Sequence, residues 1–417
     1  MTVNHVPVSM LRIMNRQIFC LIIVLAILIV SGCSRPAEPP KALTVSEATV
    51  PAGMGSEEPN LSAAADGRVF LTWLQPAEPD GYKMMFSVRD DKGTWAEPKM
   101  VAGGTNWFVN DADFPSMTVL SDGTLAAHWL GNNEPGSEAY DVNIAMSHDG
   151  GATWSKPVVP HRDKVKSQHG FVSLVPGPGG QLNAIWLDGR NAPEEGEGDM
   201  ALMHTTVAAD GTLGPEAVLD KRVCECCQTS ATTTSDGLLV VYRDRSEQEV
   251  RDIALVRYAN GMWSQPEPIN KDNWEIDACP VNGPAISSSG QNVAITWFTG
   301  AEEKLRVYTI LSTDGGKTFG KPIQVDDGKP NGRVDVLSLQ GGGALVSWME
   351  RGDQGRAQIR IRRVDAGGAV QPSVTVTGDS GVRSGAFARM ERAGNQALIA
   401  WTDSGDEPRV RAAIINF

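Results

Sequence analysis

The sequence predicts an all-β propeller of four-stranded blades, and three observations carry that expectation. The first is an aromatic residue that returns at Trp73, Trp129, Trp186, Tyr242, Trp297, Trp348 and Trp401, at spacings of 56, 57, 56, 55, 51 and 53 residues. The second is the run that ends on it. VFLTW, LAAHW, LNAIW, LLVVY, VAITW, ALVSW and ALIAW are apolar, β-branched or small, with DG, GG, GQ or GN just ahead. Strand formers following a turn pair are the hairpin signal. The third is composition, with 44 glycines, 25 prolines and no helical face after residue 35. A period near 50 residues made of strands marks a propeller rather than a string of independent domains.

The chain opens on a leader. Arg12 and Arg16 precede the apolar run Ile18 to Val30, which ends in Val30-Ser31-Gly32-Cys33. A basic start, a short apolar core and small residues before a cleavage point make an export signal, too short for a comfortable membrane span. The last four residues resemble a bacterial lipobox. That resemblance implies cleavage before Cys33, lipid on its thiol and, because Ser34 rather than Asp follows, sorting to the outer membrane. A plain signal peptide with an incidental cysteine is the alternative. Residues 1–33 are then signal and lipobox, 34–41 (SRPAEPPK) a Pro-rich tether, and 42–417 a single propeller domain.

Blades are expected over 57–103, 111–160, 168–220, 226–270, 282–326, 333–377 and 383–417. The last copy holds three strands, and the orphan run Ala42 to Val50 ahead of the first copy is the candidate for its fourth. Closing the ring with both termini removes open sheet edges. Counted this way there are seven blades; six is the alternative if the last copy packs differently.

One turn is highly specific. Ser147-His148-Asp149-Gly150-Gly151-Ala152-Thr153-Trp154 recurs as Ser312-Thr313-Asp314-Gly315-Gly316-Lys317-Thr318-Phe319, and in degraded form from Ser87 to Trp95. The pattern S-x-D-x-G-x-T-W resembles the Asp box, or BNR repeat, of sialidases and related glycan-active propellers. In that family Ser and Asp bond their own turn and the aromatic packs beneath it. The resemblance therefore implies a structural role for Ser147, Asp149, Gly151, Trp154, Ser312, Asp314, Gly316 and Phe319, between third and fourth strands and away from the ligand.

The ligand face is expected where repetition stops, in the loops from one blade to the next and from second to third strands. There the chain carries Asp188-Gly189-Arg190, Arg243-Asp244-Arg245, Arg251-Asp252 and Trp274. Convergent arginines would grip a carboxylate or sulfate, and a carboxyl in a partly dry mouth would serve as a general acid. Sialidases combine an arginine triad, an Asp acid and a Tyr nucleophile; Arg190, Arg245 and Arg251 with Asp188 or Asp244 would imitate part of that set, with Arg243 and Trp274 as further ligand contacts. Asp–Arg pairs that tie neighbouring loops together are the structural alternative. The departures are clear. No Phe/Tyr-Arg-Ile-Pro motif opens the first blade, and none of the five tyrosines lies in the last two copies.

Six cysteines are present; Cys20 leaves with the leader and Cys33 would carry lipid. Cys224, Cys226, Cys227 and Cys279 remain, on adjacent loops in an oxidising compartment. Two disulfides, a copper or zinc site with His161 or His169 in reach, and a redox pair are the three readings. The same loops resemble a signature of uncharacterised sialidase-like bacterial lipoproteins. The formal net charge of −13 argues against nucleic acid or an anionic membrane surface as partner, while leaving room for a glycan or small anionic ligand. A monomer is expected, with the lipid anchor as its sole membrane contact. The functional classes are a glycan-directed site at the Arg/Asp mouth, a metal or redox protein at the cysteines, and a protein-binding scaffold.

Overall fold

A strand covered on both faces by neighbouring sheets needs apolar residues throughout, and the aromatic-ended runs supply them. The computed structural model describes residues 1–2 and 42–417 except 135–137, 193–197, 353–356, 378–381, 383–385 and 404–406. The leader, Cys33 and the tether lie outside the described residues. Each aromatic-ended run is the second strand of an antiparallel sheet; Leu182–Asp188 is buried at every position.

Seven blades follow one another along Leu43–Phe417. Blade 1 is Glu57–Ala63, Val69–Ala77, Gly81–Arg89 and Lys99–Gly104. Blade 2 is Ser116–Val119, Leu125–Asn132 and Tyr140–Ser147, completed at its edge by Val158, which exchanges both backbone hydrogen bonds with Ile144. Blade 3 is His169–Pro176, Leu182–Asp188, Met200–Val207 and Ala217–Val223. Blade 4 is Ser230–Thr234, Gly237–Arg243 and Ile253–Ala259, with a divided outer strand, Met262–Trp263 and Glu267–Pro268. Blade 5 is Ala285–Ser289, Asn292–Thr299, Arg306–Ser312 and Ile323–Gln324. Blade 6 is Pro330–Ser338, Ala344–Arg351, Ala357–Val364 and Val374–Thr375. Blade 7 is Arg389–Ala393, Gln396–Asp403 and Arg409–Asn416. Its fourth strand is Thr44–Ala48, paired from Thr44 opposite Asn416 to Ala48 opposite Ala412. The count is seven, and the two ends of the chain share the closing sheet.

The recurring aromatics pack between blades, and their polar tips explain many of the acidic residues near them. The indole N–H groups of Trp186, Trp297 and Trp348 donate to Asp188 (2.7 Å), Asp272 (2.7 Å) and Glu350 (2.5 Å), and the Tyr242 hydroxyl donates to Asp220 at 2.6 Å. A buried donor left unpaired would cost roughly 1–3 kcal/mol, so these carboxylates hold the fold first.

The two good S-x-D-x-G-x-T turns are wired alike. The Ser147 hydroxyl donates to Asp149 (2.8 Å) and accepts from the Gly151 amide (2.8 Å), while Asp149 accepts the amide and hydroxyl of Thr153 (2.9 and 2.6 Å). Ser312, Asp314, Gly316 and Thr318 repeat the pattern. Trp154 meets Phe86 edge to face, and Phe319 lies under the Arg257 guanidinium. Gly151 has φ 81°, and a Cβ there would stand 2.3 Å from the Phe86 ring, so glycine is required twice over. These turns join third strand to fourth, at the far end from the loops that follow the second strands. First strands of the blades line a central cavity of about 530 Å³.

Candidate functional site

Two clusters of chemistry occupy the face where second strands end. In the first, His169 opens blade 3 opposite Asp188, the last residue of the next strand. The connection from blade 2 supplies His161 and Asp163, and the start of the third strand of blade 2 supplies Asp141. The two imidazoles stack face to face, 3.7 Å apart and 2° from parallel. Asp141 lies 3.5 Å from His161 Nε2 and 3.8 Å from His169 Nδ1. Asp163 lies 3.6 Å from His161 Nδ1 and 3.3 Å from His169 Nε2. The ring pair is thus held between two carboxylates.

His169 Nδ1 is 3.3 Å from the Tyr140 carbonyl, which can only accept, so that nitrogen carries the hydrogen. His169 Nε2 then turns a lone pair toward Asp163 Oδ2, and both atoms are buried without a hydrogen-bond partner among the described residues. Arg190 Nη2, 3.4 Å from the same Asp163 oxygen, brings positive charge to this edge of the stack. Imidazole with carboxylate is a donor set for zinc, iron or manganese, and two groups of donor atoms converge closely enough to hold an ion: Asp141, His161 and His169 at one edge, and Asp163, His169 and Asp188 at the other. Burial, then the neighbouring His169, pushes His161 down to about 4, which keeps it uncharged at neutral pH.

Over this cluster opens a groove of about 410 Å³, lined by Asn133, Asp141, Val159, His161, Arg162, Lys164, Val165 and Lys166. Lys164 adopts a left-handed backbone, φ 61°, uncommon for a side chain of this kind. Along the same rim Asn133 donates to Asp141 (2.6 Å), and Asn132 donates to the Trp107 carbonyl (2.9 Å). Trp107 stacks on Trp129, both partly exposed. Beneath the imidazoles, Asp113 accepts the Tyr140 hydroxyl (2.9 Å) and the Phe171 amide (2.6 Å), and burial pushes its carboxyl up to about 7. A Cβ at Gly170 would stand 1.9 Å from Asp113, so glycine permits that approach.

The second cluster is the cysteine rim. Cys226 is bonded to Cys279, while Cys224 and Cys227 are free and buried. Cys224 Sγ is 3.4 Å from Cys227 Sγ and 3.8 Å from Cys226 Sγ. Arg251 donates to Cys224 Sγ at 3.3 Å and to Glu225 and Glu249 at 3.1 and 2.9 Å. The Cys227 thiol, against the cost of burial and with help from Arg243 and Arg251, brings the Cys224 thiol down to about 6; burial drives Cys227 the other way. The structure has one disulfide and a thiol pair here in place of two disulfides. The histidines belong to the Asp141–Asp163 cluster and not to the cysteine group, which corrects the expectation of a mixed site.

The arginines expected to grip a ligand are already engaged. Arg190 clasps Asp188 through Nε (2.8 Å) and Nη2 (2.7 Å) and reaches Glu216 at 3.3 Å. Burial opposes the charge on Asp188, but the Arg190 bond, with His169 and Trp186 beside it, outweighs burial, so its carboxyl sits below its ordinary value. Arg245 pairs with Glu249 and Glu225. Arg243 is buried, gives its hydrogens to the carbonyls of Arg251, Asn282 and Phe298, and lies 4.9 Å over the Trp274 ring. Arg243 and Trp274 are therefore interior partners. Asp244 differs: burial and the nearby Asp220 push it up to about 6, in the range for moving a proton near neutrality. Asp141, Asp163, Glu216, Glu225 and Glu249 join these clusters although no motif in the sequence marks them. The signal for the first cluster was present, since two of the six histidines fall eight positions apart with Asp163 between.

No family model and no curated protein matches the chain. Solved structures do. The BP39L lectin from Burkholderia pseudomallei is similar at 14% identity over 86% of this chain and 96% of that chain, with TM-score 0.58. The polysaccharide lyase Uly1 is similar at 9% identity over 92% and 94%, with TM-score 0.54. An ulvan lyase of the PL25 family matches at 12% identity over 88% and 95%, also with TM-score 0.54. At these identities the likeness is one of fold.

Proposed function

We propose that this chain is an exported, lipid-anchored propeller of the outer membrane that binds an anionic glycan in the groove between blades 2 and 3. The observation that carries this is the groove itself. In a chain of formal net charge −13, Arg162, Lys164 and Lys166 gather on one lip, over a floor of neutral His161 and the carboxylate Asp141. Local cations attract carboxylate or sulfate groups on a sugar, and an arginine can hold them with paired hydrogen bonds. Asn133 and His161 offer donors and acceptors for hydroxyls. The partly exposed Trp107–Trp129 stack offers an apolar face for a pyranose ring.

The site thus moves from the arginines of blades 3 to 5, which are neutralised by Glu and Asp, to a lip where Lys166 pairs with Glu134 at 2.7 Å and the Arg162 guanidinium meets the Gly214 carbonyl instead of a carboxylate. Neighbours of the same fold named as a lectin and as polysaccharide lyases are in keeping with a glycan ligand, as an analogy of fold. The Asp-box resemblance and the lipobox belong to the same proposal. The test is an array of uronate-bearing, sulfated and neutral oligosaccharides probed with the purified propeller. Selective capture of acidic sugars, weakened by salt, is expected; equal capture of neutral sugars would sink the proposal.

A further inference from the structure

The cysteine rim lies outside the groove, and its geometry supports a second activity that stands independently of glycan binding. Four sulfurs are arranged from the interior to the surface. Cys224 and Cys227 are buried, Cys226 is partly buried, and Cys279 is exposed. The inner pair are thiols 3.4 Å apart, the outer pair a disulfide, and Cys224 Sγ is 3.8 Å from Cys226 Sγ, close to van der Waals contact. We propose that this rim is a dithiol–disulfide relay, in which the buried Cys224/Cys227 pair exchanges with the surface disulfide Cys226–Cys279 and through it with an external dithiol or disulfide.

The step balances within the chain. Cys224 thiolate attacks Cys226 Sγ; the Cys224–Cys226 bond forms, the Cys226–Cys279 bond breaks, and Cys279 leaves as a thiolate at the surface. Cys227 then attacks Cys224 Sγ, its proton passing to the departing Cys226 sulfur, so that Cys224–Cys227 forms and Cys226 is released as a thiol. The inner pair is oxidised, the outer pair reduced, and the two electrons move outward. An external disulfide can then take them from Cys279 and Cys226; run in reverse, an external dithiol attacks Cys279 and delivers electrons inward.

The surroundings fit each role. Attack requires a thiolate. Arg251 donates to Cys224 Sγ at 3.3 Å, while Cys227 meets the Asn282 amide at 3.3 Å and Cys224 Sγ at 3.4 Å, with no guanidinium hydrogen bond to it among the described residues. The two thiols are therefore unequal, with Cys224 the attacking sulfur and Cys227 the resolving one. Glu225 shares Nη1 with the sulfur and Glu249 takes Nη2, which holds the guanidinium against Cys224. A purely structural disulfide would need neither a thiol pair beside it nor a cation on the nearer thiol.

The experiment uses the exported protein purified anaerobically, with thiols blocked and mapped by peptide mass spectrometry. Native protein should show thiols at Cys224 and Cys227 only. After equilibration in glutathione redox buffer, a Cys224–Cys227 linked form with free Cys226 and Cys279 should appear. In Cys227→Ser the resolving step is lost, so the Cys224–Cys226 bond should accumulate several-fold over wild type, with Cys279 free. An unchanged Cys226–Cys279 bond in both proteins, each folded by circular dichroism, overturns the relay. Stoichiometric copper or zinc retained by Cys224 and Cys227, with no exchange, overturns it too and makes the rim a metal site. If Cys227→Ser does not fold, the wild-type redox series decides alone.

Discussion

His161 and His169 lie ring on ring, 3.7 Å apart, with Asp141 at one edge of the stack and Asp163 at the other. Two imidazolium ions at that distance would repel, so the stack tolerates one charge and resists two. Burial and His169 hold His161 at about 4. A proton titration followed by NMR should therefore find the His161 ring neutral down to about pH 5, and anionic-ligand affinity should show no gain from this ring between pH 8 and 5. A midpoint near 6.5, the ordinary value, would refute the buried stack.

Asp113 sets a pH dependence of stability with a definite sign. Burial raises its folded-state carboxyl to about 7. Its contribution is complete below the unfolded value near 4 and is lost as pH rises through 7. Asp113→Asn should therefore be penalised least at pH 8 and most at pH 4, with a difference of at most about 4 kcal/mol, from 1.36 kcal/mol per pKa unit. Urea denaturation of both proteins at the two pH values measures it.

The arginines of blades 3 and 4 separate binding from architecture. Arg190→Ala leaves buried Asp188 with the Trp186 N–H but without its guanidinium, and loss of about 3–5 kcal/mol is expected. Arg243→Ala strands three buried carbonyls and should cost at least about 3 kcal/mol. Denaturant midpoints test both; a stable variant that had merely lost ligand would restore these residues to the binding site.

Gly151→Ala combines a left-handed backbone with a Cβ placed on the Phe86 ring. A cost of about 2–4 kcal/mol is expected, with glycan binding unchanged once the protein is folded, because this turn is at the opposite end of the blade. Thermal unfolding and a single binding isotherm check the two halves.

Cys224 should titrate as a thiolate at about pH 6, visible as ultraviolet thiolate absorbance in anaerobic protein and absent from Cys224→Ser. A single step near the ordinary 8.5 would remove the chemical asymmetry on which the relay depends.

The fold was legible in the sequence because each blade repeats one physical problem. A strand sealed on both faces must be apolar, so the aromatics keep their spacing as packing groups; Trp186, Trp297 and Trp348 also give their N–H to a carboxylate, while the Trp73 and Trp401 nitrogens have no hydrogen-bond partner among the described residues. The closing strand Thr44–Ala48 was legible for the same reason, as a run without a blade. The site was less so. Asp188 and Arg190 look like a catalytic pair in the chain, but only three dimensions show Asp188 receiving Trp186 and Arg190 together. His161 and His169 are near in sequence, yet Asp141 comes from the previous blade, and no spacing announces that meeting. The cysteines announced themselves by number, while their division into one bonded pair and one thiol pair depends on which sulfurs the loops bring into contact.

The most direct test of the glycan-binding site is isothermal titration of an acidic oligosaccharide, chosen from the array, into three proteins: wild type, Arg162→Ala/Lys164→Ala, and Arg245→Ala. Binding at the groove predicts at least a tenfold loss, about 1.4 kcal/mol, in the double variant and less than about twofold change in Arg245→Ala, whose charge is already spent on Glu249 and Glu225. The reverse ranking would return the site to the arginine mouth of blades 3 to 5 and contradict the groove.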